Sequence, residues 1–141
     1  MATTLSKEEK LLVNKTFYQI APISDRASER FYSRLFEVAP AMRDLFSKAD
    51  MREQRKKLID MVALVVYSLE NIDKVKKALH SLGDRHVEYG VKLEDYTTVG
   101  DAFLWMLEQE LGEDYTPETA AAWTKTWQLM TEIATEAVRP V

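Results

Sequence analysis

Residues 80–91, HSLGDRHVEYGV, hold both histidines of the chain, His80 and His86. Imidazole is the side chain most often used to bind a metal or carry a proton near neutral pH. No cysteine is present, which excludes disulfides, thiolate metal sites, cysteine nucleophiles and cofactors attached through a CxxCH motif. Val75, Leu79, Leu82 and His86 recur at i, i+4, i+7 and i+11, so His86 extends the apolar stripe of a helix. His80 falls off that stripe and is expected in solvent. Two roles are open to His86: a core-edge residue bonded to a backbone carbonyl, or a ligand facing a cavity.

Two further polar side chains lean inward on other segments. Gln54 lies four residues before Leu58 and heads an apolar face that runs through Val62, Val65 and Leu69. Tyr32 follows Phe31 and turns partly inward, where a buried hydroxyl needs a partner. Singly, these are ordinary residues of a helix end and a core rim. Together with His86 they place three polar groups on three segments, which a helical core tolerates if they face a ligand cavity. His86 would supply the one strong metal bond there.

Helices must position these groups. Ser6 and Glu9 form a capping box ahead of the stripe Val13, Phe17, Ile20. Pro22 ends that segment, and Ser24 is placed to cap the next, whose stripe is Ala27, Phe31, Leu35. Pro40 suits the first turn of a short helix ending at Phe46. Asp50 and Glu53 start the segment carrying Gln54, and Asn71 starts the one carrying both histidines, which Gly90 breaks. Val99, Phe103 and Met106 mark a further helix that stops at Gly112. Thr116 and Pro117 open the last one, with Trp123, Trp127, Met130, Ala134 and Ala137 on its apolar face and Pro140 closing it. The tryptophans read as helix–helix core with no cofactor role. The class is all-α, with six or seven helices in a single domain over residues 1–141.

Composition narrows the functional classes. A chain of 141 residues can bury a core without staples. A net charge of −4 provides no basic field to hold nucleic acid or anionic lipid. The run MVALVVYSL at 61–69 is too short to span a bilayer, and MATTLSKEEK lacks the apolar segment of a signal peptide. A cytoplasmic protein without membrane insertion is expected.

The run from SLGDRHVEYGVKLEDYTTVGDAFLWMLEQELG to TPETAAAW, with FYSRLF and APAMRDLF before it, resembles the globin family, most nearly its neuroglobin-like and bacterial single-domain members. The resemblance implies a globin fold, six to eight helices around a pocket for non-covalent haem b. In that pattern the histidine of LGDRH, His86, is the proximal ligand of the haem iron, and Phe46 packs against the porphyrin. Gln54 falls where many globins carry the distal histidine, Leu58 lies one turn on, and Tyr32 takes the inner position of the second helix. Leu82, Val91, Val99 and Phe103 would form apolar walls, and Lys57 would reach a propionate or simply belong to a solvated RKK run. Tyr96 matches a tyrosine that supports the proximal histidine in flavohaemoglobin-type globins. The glutamate of that set does not carry over: Val138 occupies its aligned position, and Glu136 is out of register.

What the resemblance implies about function is reversible dioxygen binding for storage, transport or sensing, with nitric oxide and carbon monoxide as further gas ligands. The alternative is a nitric oxide dioxygenase served by a separate reductase, since the sequence leaves no room for a reductase domain. A haem-free helical interaction module is the third reading.

Overall fold

The computed structural model describes residues 3–136. Six α-helices follow one another: α1 Lys7–Ile20, α2 Ser24–Val38, α3 Met51–Tyr67, α4 Asp73–Glu88, α5 Leu93–Leu111 and α6 Pro117–Glu136. Short 3-10 turns join some of them, over Ala21–Ile23, Pro40–Phe46 and Gly112–Asp114. The described residues contain no strand.

The helix starts follow local chemistry. The Glu9 N–H donates to the Ser6 hydroxyl at 3.1 Å, and the Glu9 carboxylate accepts from the Ser6 N–H at 2.8 Å, closing the expected capping box. Asp50 accepts from the backbone of Arg52 and Glu53 and so starts α3. Ser24 does not cap α2. It is the helix's first residue, because the 3-10 turn at Ala21–Ile23 runs into α2 without the extended residue that a cap requires. The histidine-bearing helix begins at Asp73, two residues after Asn71. Pro140 lies outside the described residues.

Two antiparallel associations organise the core: α2 packs along α5, and α4 packs along α6. Helix α1 crosses α6 and α3, while α3 leans on α2. Trp123, Phe17, Phe31, Leu35, Leu79, Met106 and Leu107 are fully buried at these crossings. Burial of such side chains is worth roughly 1.5–3 kcal/mol each before the ordering cost. Helices α3 and α4 thus rest on different partners, α3 on α1 and α2 and α4 on α6.

At the α4–α6 crossing the two backbones come close together. Gly83 is buried, and a β-carbon built on it would stand 1.8 Å from the backbone oxygen of Ala134. Only a residue without a side chain lets the two backbones approach this closely. The deepest line of α4 is therefore Val75, Leu79, Gly83, at i, i+4, i+8. Leu82 and His86, expected on the buried stripe, lie half-buried beside that contact.

Candidate functional site

The proximal candidate is built at the end of α4. Gly90 has φ +85°, the left-handed conformation that favours glycine. The chain can then fold back, so that the Val91 N–H donates to the His86 carbonyl at 2.8 Å and the Gly90 N–H donates to the Val87 carbonyl at 3.0 Å. This closing pattern satisfies orphan carbonyls of the last turn and fixes the backbone of His86 itself. The YGV of the motif is thus a helix terminator that anchors the histidine.

His86 Nδ1 lies 3.1 Å from the Tyr96 hydroxyl, and the two rings stand 5.7 Å apart at 53°. Burial lowers the His86 pKa below the ordinary imidazole value, and the neighbouring Arg85 charge adds to the shift. The imidazole is therefore neutral at pH 7. With Nδ1 engaged, Nε2 carries no hydrogen bond to any described residue and retains its lone pair for a ligand when Nδ1 holds the proton. Burial also raises the Tyr96 pKa, so its phenol stays protonated.

His80 is not simply solvated. Its Nε2 meets Glu136 at 2.8 Å, across the α4–α6 seam and partly shielded from solvent. Glu136 is thereby committed to the other histidine and not to His86. Val138 lies outside the described residues.

A second polar cluster forms where α2, the Pro40–Phe46 turn and α3 meet. Tyr32 is only 6% exposed. Its ring makes edge contacts with Phe31 at 4.7 Å and Phe46 at 5.5 Å, and Phe36 closes the set at 6.0 Å. Burial pushes the Tyr32 pKa up, and hydrogen bonding with Gln54 offsets part of that rise. A protonated phenol and a primary amide therefore share one small region, both able to donate. Leu58, one turn beyond Gln54 on α3, is half-buried against the core.

The remaining expected residues are dispersed in depth. Leu82 and Val99 are half-buried against the core, and Val91 is half-buried at the end of α4. Phe103 lies deeper, fully buried among Phe31, Trp123 and Trp127. Lys57 is exposed. Among the described residues no group of three or more His, Asp or Glu gathers to hold a bare metal ion, and no helix is long and apolar enough to cross a membrane.

Reading the sequence missed two contributors. Gly83 was legible only as part of a motif, because its missing side chain matters only opposite Ala134. Trp127 read as plain core, yet its indole donates to the Tyr96 carbonyl at 3.0 Å. A glycine inside an otherwise strong helix was the one signal available for the first.

The Globin family model matches residues 29–134. A flavohemoprotein of Rhizobium meliloti (strain 1021) is 26% identical over 131 residues, covering 92% of this chain, which spans only 32% of that protein's length. Neuroglobin-1 of Oncorhynchus mykiss is 25% identical over 139 residues, 89% of this chain and 87% of that protein. Among solved structures, a hexacoordinated heme protein from an anhydrobiotic tardigrade superposes with TM-score 0.87 at 20% identity, over 98% of this chain and 97% of its own. The neuroglobin of the acoel Symsagittifera roscoffensis gives 0.85 at 21% identity, over 96% and 100%.

Proposed function

We propose, since the chain belongs to the globin family, that it binds haem b non-covalently through His86 and uses it to bind dioxygen reversibly. The observation that carries this reading is the state of His86: a neutral imidazole whose Nδ1 is held by Tyr96 and whose Nε2 has no described protein partner. Half-buried apolar residues, Leu58, Leu82, Val91 and Val99, suit the flat apolar faces of the group. Haem iron supplies the site that takes up a diatomic gas.

The chain's own residues set what happens around it. With Nε2 as the ligating atom, Nδ1 would hold the proton and donate it to the Tyr96 hydroxyl, which fixes the ring's orientation. A phenol oxygen is a weaker acceptor than a carboxylate, so the imidazole remains a moderate donor. Glu136, one candidate for a stronger push, is held by His80. Tyr32 and Gln54 would offer O–H and N–H donors to a bound gas, the Tyr32 hydroxyl from a largely dry environment. Such donors favour a polar ligand such as dioxygen over carbon monoxide. Phe46 packs edge-on against the Tyr32 ring and helps hold it in place. Lys57 is placed on the surface, suited to a propionate.

Ligation by two histidines is not open to this chain. His80 and His86 share α4, and one straight helix cannot present side chains to both faces of a planar group. Tyr32 and Gln54 would then be the polar side chains available to a bound gas.

The weak proximal push favours reversible binding over catalysis. The phenol–amide pair also suits nitric oxide dioxygenation with a separate reductase as partner, and the flavohemoproteins among the relatives keep that reading in view. Rapid mixing of the oxygenated protein with nitric oxide, with and without a cellular reductase, separates the two. Slow or non-recurring turnover alongside a reversible oxygen spectrum supports binding; sustained nitrate production at a reductase-limited rate overturns it.

A further inference from the structure

Trp123 and Trp127 stand one turn apart on α6, and each indole N–H has a single defined acceptor. Trp123 donates to the Thr16 hydroxyl on α1 at 2.8 Å. Trp127 donates to the carbonyl of Tyr96 on α5 at 3.0 Å. That carbonyl belongs to the residue whose hydroxyl meets His86 Nδ1. Helix α5 begins at Leu93, so Tyr96 lies at the end of its first turn.

Two other features hold the indole in register. A β-carbon on Gly100 would stand 2.5 Å from the Trp127 Nε1, so α5 admits the ring edge only because residue 100 is glycine. The opposite part of the ring stacks on Phe103 at 5.4 Å and 26°. An open groove of about 400 Å³ brings solvent up to Tyr96 and Trp127. Without the indole donor, water replaces a fixed partner by a mobile one.

We propose that Trp127 is a positioning residue for the proximal histidine, acting through the Tyr96 backbone to set the Tyr96–His86 hydrogen bond. The indole fixes the height of Tyr96 on α5, and the Tyr96 hydroxyl then fixes the orientation and donor strength of the imidazole. This rests on His86 being the iron ligand. Outer partners of a ligating histidine typically change metal affinity by about 10–100-fold when removed. Trp127 acts one residue further out, so haem loss should accelerate by roughly tenfold or less.

The test is the iron–histidine stretching frequency of the ferrous haem-loaded protein, read by resonance Raman spectroscopy, in Trp127→Phe, Tyr96→Phe, their double variant and Trp123→Phe. Replacement of Trp127 by benzothienylalanine keeps the ring's shape and removes only the N–H, so it stands in if Trp127→Phe folds poorly. The expected result is a downward shift in both Trp127 variants, in the direction given by Tyr96→Phe and not additive with it, and no shift in Trp123→Phe. An unchanged frequency in the Trp127 variants beside a shifted Tyr96→Phe overturns the proposal, as does an equal shift in Trp123→Phe. Absence of an iron–histidine band from the unaltered protein instead overturns His86 ligation itself.

Discussion

The two halves of the candidate site are held by different kinds of physics. Around Tyr32 the restraint is packing: Phe31, Phe36 and Phe46 surround the ring at 4.7–6.0 Å, and a single amide, Gln54, addresses its hydroxyl. Around His86 the restraint is directional. A glycine-ended helix returns a bond to the histidine's own carbonyl, Tyr96 takes Nδ1, and an indole holds the Tyr96 backbone. A packed ring tolerates small displacements, whereas a hydrogen-bonded ring is fixed in angle. The contrast matches the work proposed for each side. A ligand atom must keep one orientation, while donors to an incoming gas must adjust to whichever molecule arrives.

That contrast is sharpest at Gly83. Adding even a methyl group there drives a side-chain carbon into the Ala134 backbone. Gly83→Ala is expected to destabilise the apoprotein by about 3 kcal/mol, the upper range for overpacking, and to lower the thermal midpoint by roughly 10 °C. A midpoint within a degree or two of the parent would show that α4 slides on α6 freely, and that the proximal side is no more constrained than the distal one.

Next in size is the distal hydroxyl. Tyr32→Phe preserves the ring contacts and deletes one donor. Oxygen dissociation should quicken by roughly one to two decades, because hydrogen bonds involving charged or strongly polar partners are worth about 1.5–3 kcal/mol. Carbon monoxide release should change far less, and Gln54→Leu should act in the same direction more weakly. Stopped-flow release rates decide it. If oxygen release is unaltered, Tyr32 serves only the packing that surrounds it.

A smaller effect is expected at the helix terminator. Gly90→Ala keeps every side-chain contact but places a β-carbon on a residue with φ +85°, where nothing else crowds it. The cost should be about 1 kcal/mol, seen in chemical denaturation. Stabilisation would mean that the last turn of α4 had already relaxed to another ending.

The smallest concerns pH. Because the folded state lowers the His86 pKa, the unfolded chain binds more protons between the depressed folded value and the ordinary one near 6.5. Stability of the apoprotein from this group is complete above the ordinary value and is lost as pH falls through the window to the folded value. His86→Gln should flatten that part of the pH–stability curve. A steeper slope in the variant would reverse the sign assigned to His86.

Much of the cluster around Tyr32 was legible in the sequence, because a buried ring announces itself through period. Tyr32 beside Phe31, Phe46 ending a proline-started turn and Gln54 heading an apolar face could each be placed on a separate element, the two polar side chains leaning inward. The structure packs those elements together. The proximal side was legible only in part. His86 stood out, and the resemblance to globins pointed to Tyr96. The partners that act through backbone did not: Trp127 reaches a carbonyl 31 positions away, and nothing in a side-chain pattern marks an acceptor on the main chain. His80 was expected in water because its place off the apolar stripe says nothing about Glu136 across a helix seam. Ser24 looked like a cap because its residue type is right, but the preceding turn is already helical.

The claim on which the account depends is that His86, and not His80, is the residue through which the protein holds haem. The direct measurement is haem binding by absorbance titration and transfer to a competing apoprotein, for the parent, His86→Ala and His80→Ala, with circular dichroism confirming that each variant is folded. The account predicts that His80→Ala retains haem as the parent does, while His86→Ala loses most of it and shows no iron–histidine band. Equal retention by His86→Ala and His80→Ala would contradict it.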